Sequence, residues 1–179
     1  SKGIGAALAK GFCLAGAKVI GISRKKPNDL THFFEYYEVD LADENKLIEI
    51  SNEIKNKHKI IDGLINAAGF TTGYIENNLN QNLENFSKTH AINIKAPFLL
   101  IENFREIFIK NKSSIINITS IGQEKGFPNN PAYVSSKGAV RQLTSAYAVD
   151  LSKFGVRINN LVPGYIKTDM TKVSYNDPK

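Results

Sequence analysis

Helical and strand-length segments alternate along this chain from one end to the other, and that alternation restricts its fold more than any composition figure. Residues 6–14 carry helical spacing and run into Gly16, a residue type that ends helices by turning left-handed. The apolar run 18–22 reads as a strand, and a second short strand ends at Val39-Asp40 after the aromatic stretch 33–37. Residues 42–59 place Leu47, Ile50 and Ile54 on one helix face and lead into a buried strand at 61–66. A helix over about 83–109, a strand at 114–119, a long helix at 132–154 stopped by Gly155, and a last strand at 156–161 complete the pattern. Strands separated by helices pair in parallel through crossovers. The fold class is therefore α/β, a doubly wound parallel sheet between two helical layers. No repeat, low-complexity tract or linker interrupts the pattern, so one domain over 1–179 is expected.

Ligands of such sheets bind beyond the carboxyl ends of the strands, where the chemically suggestive residues fall. Tyr133 and Lys137 stand four positions apart in a helix, hence on one face. A cation that close favours phenolate over phenol and is expected to lower the tyrosine pKa. Ser120, thirteen residues before Tyr133, lies at a strand end where its hydroxyl can hold a carbonyl oxygen while the tyrosine protonates it. An isolated Tyr/Lys pair is also met on ordinary helix surfaces, and Ser120 is what turns the reading toward carbonyl reduction. Asn117 and Thr119 are read as shaping the strand.

Other strand ends read as a nucleotide site. Ser1-Lys2-Gly3-Ile4-Gly5 runs straight into a helix; its glycines admit a pyrophosphate to free N–H groups, although a plain turn explains them as well. The next strand ends Ile22-Ser23-Arg24. A carboxylate there would bind a ribose hydroxyl, whereas Arg24, with Lys25 and Lys2, suits a 2′-phosphate, which favours NADP(H) over NAD(H). Asp40-Leu41 follows another strand; Asp40 serves either as acceptor for an adenine amino group or as N-cap of the following helix. Asn66-Ala67-Ala68-Gly69 closes the next strand with small side chains, as expected where a ligand lies on backbone.

Composition sets broad limits. The net charge is +6, but its basic residues are scattered without an accompanying aromatic stripe, so no nucleic-acid partner is expected. The one cysteine, Cys13, allows no internal disulfide and fits a reducing, cytoplasmic setting. No apolar run of membrane-spanning length occurs, and His32, His58 and His90 lack clustered ligands for a metal.

Together the end of a glycine motif at Gly3-Ile4-Gly5, Asn66-Ala67-Ala68-Gly69, Asn93, Ser120, Tyr133-x-x-x-Lys137 and Pro163-Gly164 with Thr168 resemble the classical short-chain dehydrogenase/reductase family, over the whole chain. The resemblance implies a Rossmann-type sheet of order 3-2-1-4-5-6-7. This chain would lack its central first strand and its C-terminal part, leaving two sheet halves without their shared neighbour. It assigns Tyr133 as proton donor and acceptor, Lys137 to the nicotinamide ribose, and Ser120 to the substrate oxygen. Asn93 becomes the fourth member of the catalytic set, its main-chain carbonyl holding a water. Pro97, four residues on, has no N–H to occupy that carbonyl. Pro163, Gly164, Ile166 and Thr168 are expected at the nicotinamide, with a helix cap the alternative for Thr168.

The activity so implied is interconversion of a secondary alcohol and a ketone. A 3-oxoacyl thioester, free or on an acyl carrier, is the first expectation for substrate, and a sugar or polyol the alternative. A nucleotide-binding regulator without turnover is the rival class. The apolar stretches 98–109 and 140–151 point to a homodimer or homotetramer.

Overall fold

The computed structural model describes residues 2–172. Helix α1 (Gly3–Leu14) precedes β1 (Ile20–Ser23) and β2 (Glu35–Glu38). Then come α2 (Glu44–Lys57), β3 (Gly63–Asn66), α3 (Leu79–His90), a π turn (Ala91–Lys95) and α4 (Ala96–Asn111). The chain continues through β4 (Ser114–Ile118), a 3-10 turn (Ile121–Gln123), α5 (Pro131–Ser152) and β5 (Arg157–Leu161). All strand pairings are parallel, as the alternation dictates.

The strands form two sheets, β1-β2 and β3-β4-β5. This is the division expected of a sheet missing its central member. Both halves share one core: Leu47, Ile50 and Ile54 of α2 and Leu100, Ile101, Phe104 and Phe108 of α4 pack with Ile115 and Ile158, while Ile20, Ile22 and Leu64 lean on the same cluster. Helix α1 contributes no buried side chain.

Two features depart from the sequence reading. The segment expected as one helix over 83–109 is broken by the π turn, because Pro97 removes a helical N–H just where the turn closes from Ala96 to Ala91. Helix α2 is N-capped by Asp43, whose Oδ1 accepts from Lys46 N–H at 3.0 Å, and not by Asp40. The ends of the long helix behave as read, with Pro131 in the first turn of α5 and Gly155 at φ 79° after it.

Candidate active site

Ser120 leaves β4 and caps the 3-10 turn, its Oγ accepting from Gly122 N–H at 3.1 Å. The adjoining Gly122 leaves room for the Phe127 ring, which a Cβ there would meet at 2.9 Å. The Ser120 hydroxyl also lies close enough to the Tyr133 phenol, in the first turn of α5, to act on its ionisation. One turn further, Lys137 is only 4% exposed; its Nζ donates to the Ile118 carbonyl at 2.8 Å and stands 5.6 Å from the Tyr133 ring centroid. The three residues paired on paper thus meet at the end of β4.

Their electrostatics differ from the expectation in one respect. Burial pushes the Tyr133 phenol above its ordinary value, and the Ser120 hydroxyl pulls it back only partly. Lys137 is no counterweight here, because an amine that gives up its proton before the phenol ionises carries no charge to favour phenolate. Burial in turn drops Lys137 to about 8.

Asn93, 2% exposed, sits in the π turn. Its Oδ1 accepts from Phe70 N–H at 2.7 Å, and its Nδ2 donates to the Phe70 carbonyl and to Ser136 Oγ, both at 2.9 Å. Ser136 Oγ donates onward to the Tyr133 carbonyl at 2.7 Å. The Asn93 amide therefore clamps the turn after β3 onto the start of α5. Ser136, fully buried, went unnoticed in the sequence; its only signal was a small polar residue inside the Tyr133–Lys137 segment.

The glycine residues converge on the same place. Gly3 holds φ 58°, and a Cβ on it would lie 3.5 Å from Thr168 Cγ2. Gly5 faces Ala67 Cβ at 3.5 Å, and Gly69 lies 3.9 Å from Lys137 Nζ, each measured from the Cβ it lacks. The α1 start around Ile4 thus neighbours the loop after β5 at Thr168 and the Asn66-Ala67-Ala68-Gly69 turn at Ala67, and that turn neighbours Lys137. Pro163 is fixed there by its carbonyl, which accepts from Ile121 N–H at 3.3 Å. Gly164 and Ile166 are exposed beyond it, and Thr168 turns back through its N–H to Thr171 Oγ1 at 3.0 Å. Lys2 pairs with Asp169 at 3.2 Å; Ser1 lies outside the described residues.

Arg24 and Lys25 are exposed just beyond β1. Asp40 spends Oδ1 on Ala42 N–H at 3.0 Å, and Leu41 packs part-buried against the core. Asn66 turns into the sheet: its Nδ2 donates to Asn117 Oδ1 at 2.8 Å, and Asn117 Nδ2 donates to Thr144 Oγ1 at 2.8 Å. Thr144 Oγ1 donates to Asn160 Oδ1 at 2.7 Å. Asn66, Asn117 and Asn160 are direct register partners, so this polar row crosses three strands and keys α5 to them.

A parallel crossover sheet that gathers a tyrosine, a buried lysine and a serine beside a glycine-lined helix start defines a dinucleotide-using oxidoreductase. The family model described as enoyl-(acyl carrier protein) reductase matches residues 1–179. The chain is 31% identical to 2-(R)-hydroxypropyl-CoM dehydrogenase of Xanthobacter autotrophicus, over 100% of this chain and 76% of that protein. It is likewise 31% identical to gluconate 5-dehydrogenase of Gluconobacter oxydans, over 96% and 70%. Among solved structures it superposes on a Beutenbergia cavernae protein described provisionally as an NAD(P)-dependent gluconate 5-dehydrogenase, with TM-score 0.89 and 29% identity, covering 98% of this chain and 73% of that one. The chain belongs to the short-chain dehydrogenase/reductase family. Among the described residues, no helix is long and apolar enough to cross a membrane, and no three potential metal ligands cluster.

Proposed function

We propose that this chain is the nucleotide-binding domain of an NADP(H)-preferring oxidoreductase that interconverts a secondary alcohol and a ketone. The contact between the Ser120 hydroxyl and the Tyr133 phenol, with the Lys137 ammonium against the same ring, carries the reading. Gly3, Ile4 and Gly5, the turn Asn66 to Gly69, Asp40-Leu41, and Pro163, Gly164, Ile166 and Thr168 would hold the dinucleotide, which supplies a hydride when bound. Arg24 and Lys25 suit a 2′-phosphate, and the Beutenbergia neighbour was solved with NADP bound. Ser120 holds the substrate oxygen while Tyr133 donates its proton to it, or takes it back in the oxidative direction. A phenol held high by burial is protonated at neutral pH, the state reduction requires. Asn93 keeps this start of α5 in place through Ser136, and Pro97, four residues on, has no N–H to occupy its main-chain carbonyl.

Two substrate classes fit. The description of the matching family model speaks for an acyl carrier substrate, as in 3-oxoacyl thioester reduction. The gluconate 5-dehydrogenase relatives speak for a sugar acid or polyol. Tyr133→Phe is expected to abolish turnover, read at the nicotinamide absorbance across both classes, while fluorescence titration finds NADPH affinity within about threefold of the unmutated chain. Undiminished turnover in that variant rejects the mechanism. Loss of cofactor affinity in parallel with turnover instead favours a binding role for the phenol.

Self-association belongs to the same proposal. Phe98 on α4 and Val149 on α5 are 47% and 77% exposed, large apolar groups on the two helices expected to pair between protomers. Light scattering at micromolar concentration should report at least a dimer, and a monomer removes the proposal.

A further inference from the structure

Parallel strands are ordinarily joined through a helix, yet residues 24–34, between β1 and β2, contain none. This bare connection carries Arg24 and Lys25, and side chains of β2 fasten its first residues. Register sets Gly21 beside Tyr36 and Ser23 beside Glu38. A Cβ on Gly21 would stand 2.6 Å from the Tyr36 ring, so the glycine makes room for that ring to lie across β1. Phe33 meets the ring edge-on, with centroids 4.9 Å apart. From there the Tyr36 hydroxyl reaches Ser23 Oγ, at 2.5 Å, and the Lys25 carbonyl, at 3.3 Å. Ser23 Oγ donates to that same carbonyl at 3.0 Å. Glu38 Oε2 accepts from Lys26 N–H at 3.0 Å. The backbone is therefore pinned at 23, 25 and 26, on both sides of Arg24.

We propose that Tyr36 is a specificity-determining positioning residue, which with Glu38 shapes the Arg24-Lys25 turn to receive the 2′-phosphate of NADP(H). The inference rests on the NADP(H) reading above. A phosphate monoester carries close to two negative charges, and a pre-ordered turn removes the cost of ordering two long cations when it arrives. Glu38 adds to this order, because its carboxylate holds the Lys26 amide with a charge-assisted hydrogen bond that alanine cannot make.

The test is the ratio of kcat/KM for NADPH to that for NADH in the complete enzyme and in Tyr36→Phe, Glu38→Ala and Arg24→Asp. Phenylalanine keeps the ring over Gly21 and loses only the hydroxyl, so Tyr36→Phe should lower the ratio by about three- to tenfold, the worth of one hydrogen bond. Glu38→Ala should lower it to a similar extent, and it carries the test alone if Tyr36→Phe does not fold. Arg24→Asp should lower it further than either. An unmutated enzyme with no preference for NADPH overturns the cofactor reading and this inference together. A preference that Arg24→Asp abolishes but Tyr36→Phe and Glu38→Ala both retain leaves the reading intact and overturns the inference alone.

Discussion

Lys137 places an ammonium where water scarcely reaches, and this has a consequence for stability separate from catalysis. An unfolded lysine keeps its proton up to its ordinary value of 10.5, whereas burial makes the folded residue release it near 8. Between those pH values the unfolded chain binds more protons, so the contribution of Lys137 to stability rises with pH across that window. Raised tyrosine pKa values act oppositely only above about pH 10, where unfolded phenols begin to ionise. Urea unfolding at pH 7.5 and at pH 10 should show the wild-type chain gaining on Lys137→Met by about 2 kcal/mol between the two. Equal pH slopes for the two chains would mean that the ammonium is better solvated than its burial implies. Tyr133 shares the environment without sharing the sign: desolvation opposes phenolate as it opposes ammonium, so the phenol rises while the lysine falls.

The elements are tied together by contacts of a kind that spacing does not reveal. Thr144 stands two turns along α5 from Lys137, and its hydroxyl accepts from Asn117 and donates to Asn160, linking β4, β5 and the helix. Replacing Thr144 with valine keeps the shape but strands two amide groups at a nearly dry site, at a cost of about 1–3 kcal/mol. Thr144→Ser retains the hydroxyl and should lose less; equal destabilisation of the two variants by denaturant titration would show that the methyl, not the hydroxyl, matters. Tyr133, Lys137 and Ser120 were legible because helix geometry alone sets two of them on one face, and strand alternation puts the third at a sheet end. Asn66 is legible as strand-end backbone open to a ligand, whereas the sheet row that its amide joins is not, since its partner Asn117 lies fifty-one positions away. The clamp from Asn93 through Ser136 was hidden for the same reason, and Asp40 lost the capping role to Asp43 by a difference of three positions, which periodicity does not resolve.

At the scale of the whole molecule, two sheets lean on one core while β1 pairs only with β2 and β3 only with β4. Among the described residues each sheet therefore has two edges with unpaired N–H and C=O groups, at β1 and β2 in the first and at β3 and β5 in the second, and α1 buries no side chain against either sheet. By contrast β4 is paired on both sides from Ser114 to Asn117, with Ile115 fully buried. Local stability should follow this division, since exchange protection tracks burial and ladder pairing. Hydrogen exchange is expected to be slowest in β4 and α4 and fastest in α1 and β1. If the β1 and β3 edges flank one strand position, fusing an extended apolar segment ahead of Ser1 should slow exchange in β1 and β3 together and raise the melting temperature. Protection appearing in one sheet alone would show that the edges do not share a strand, leaving the shared core as what holds the two halves together.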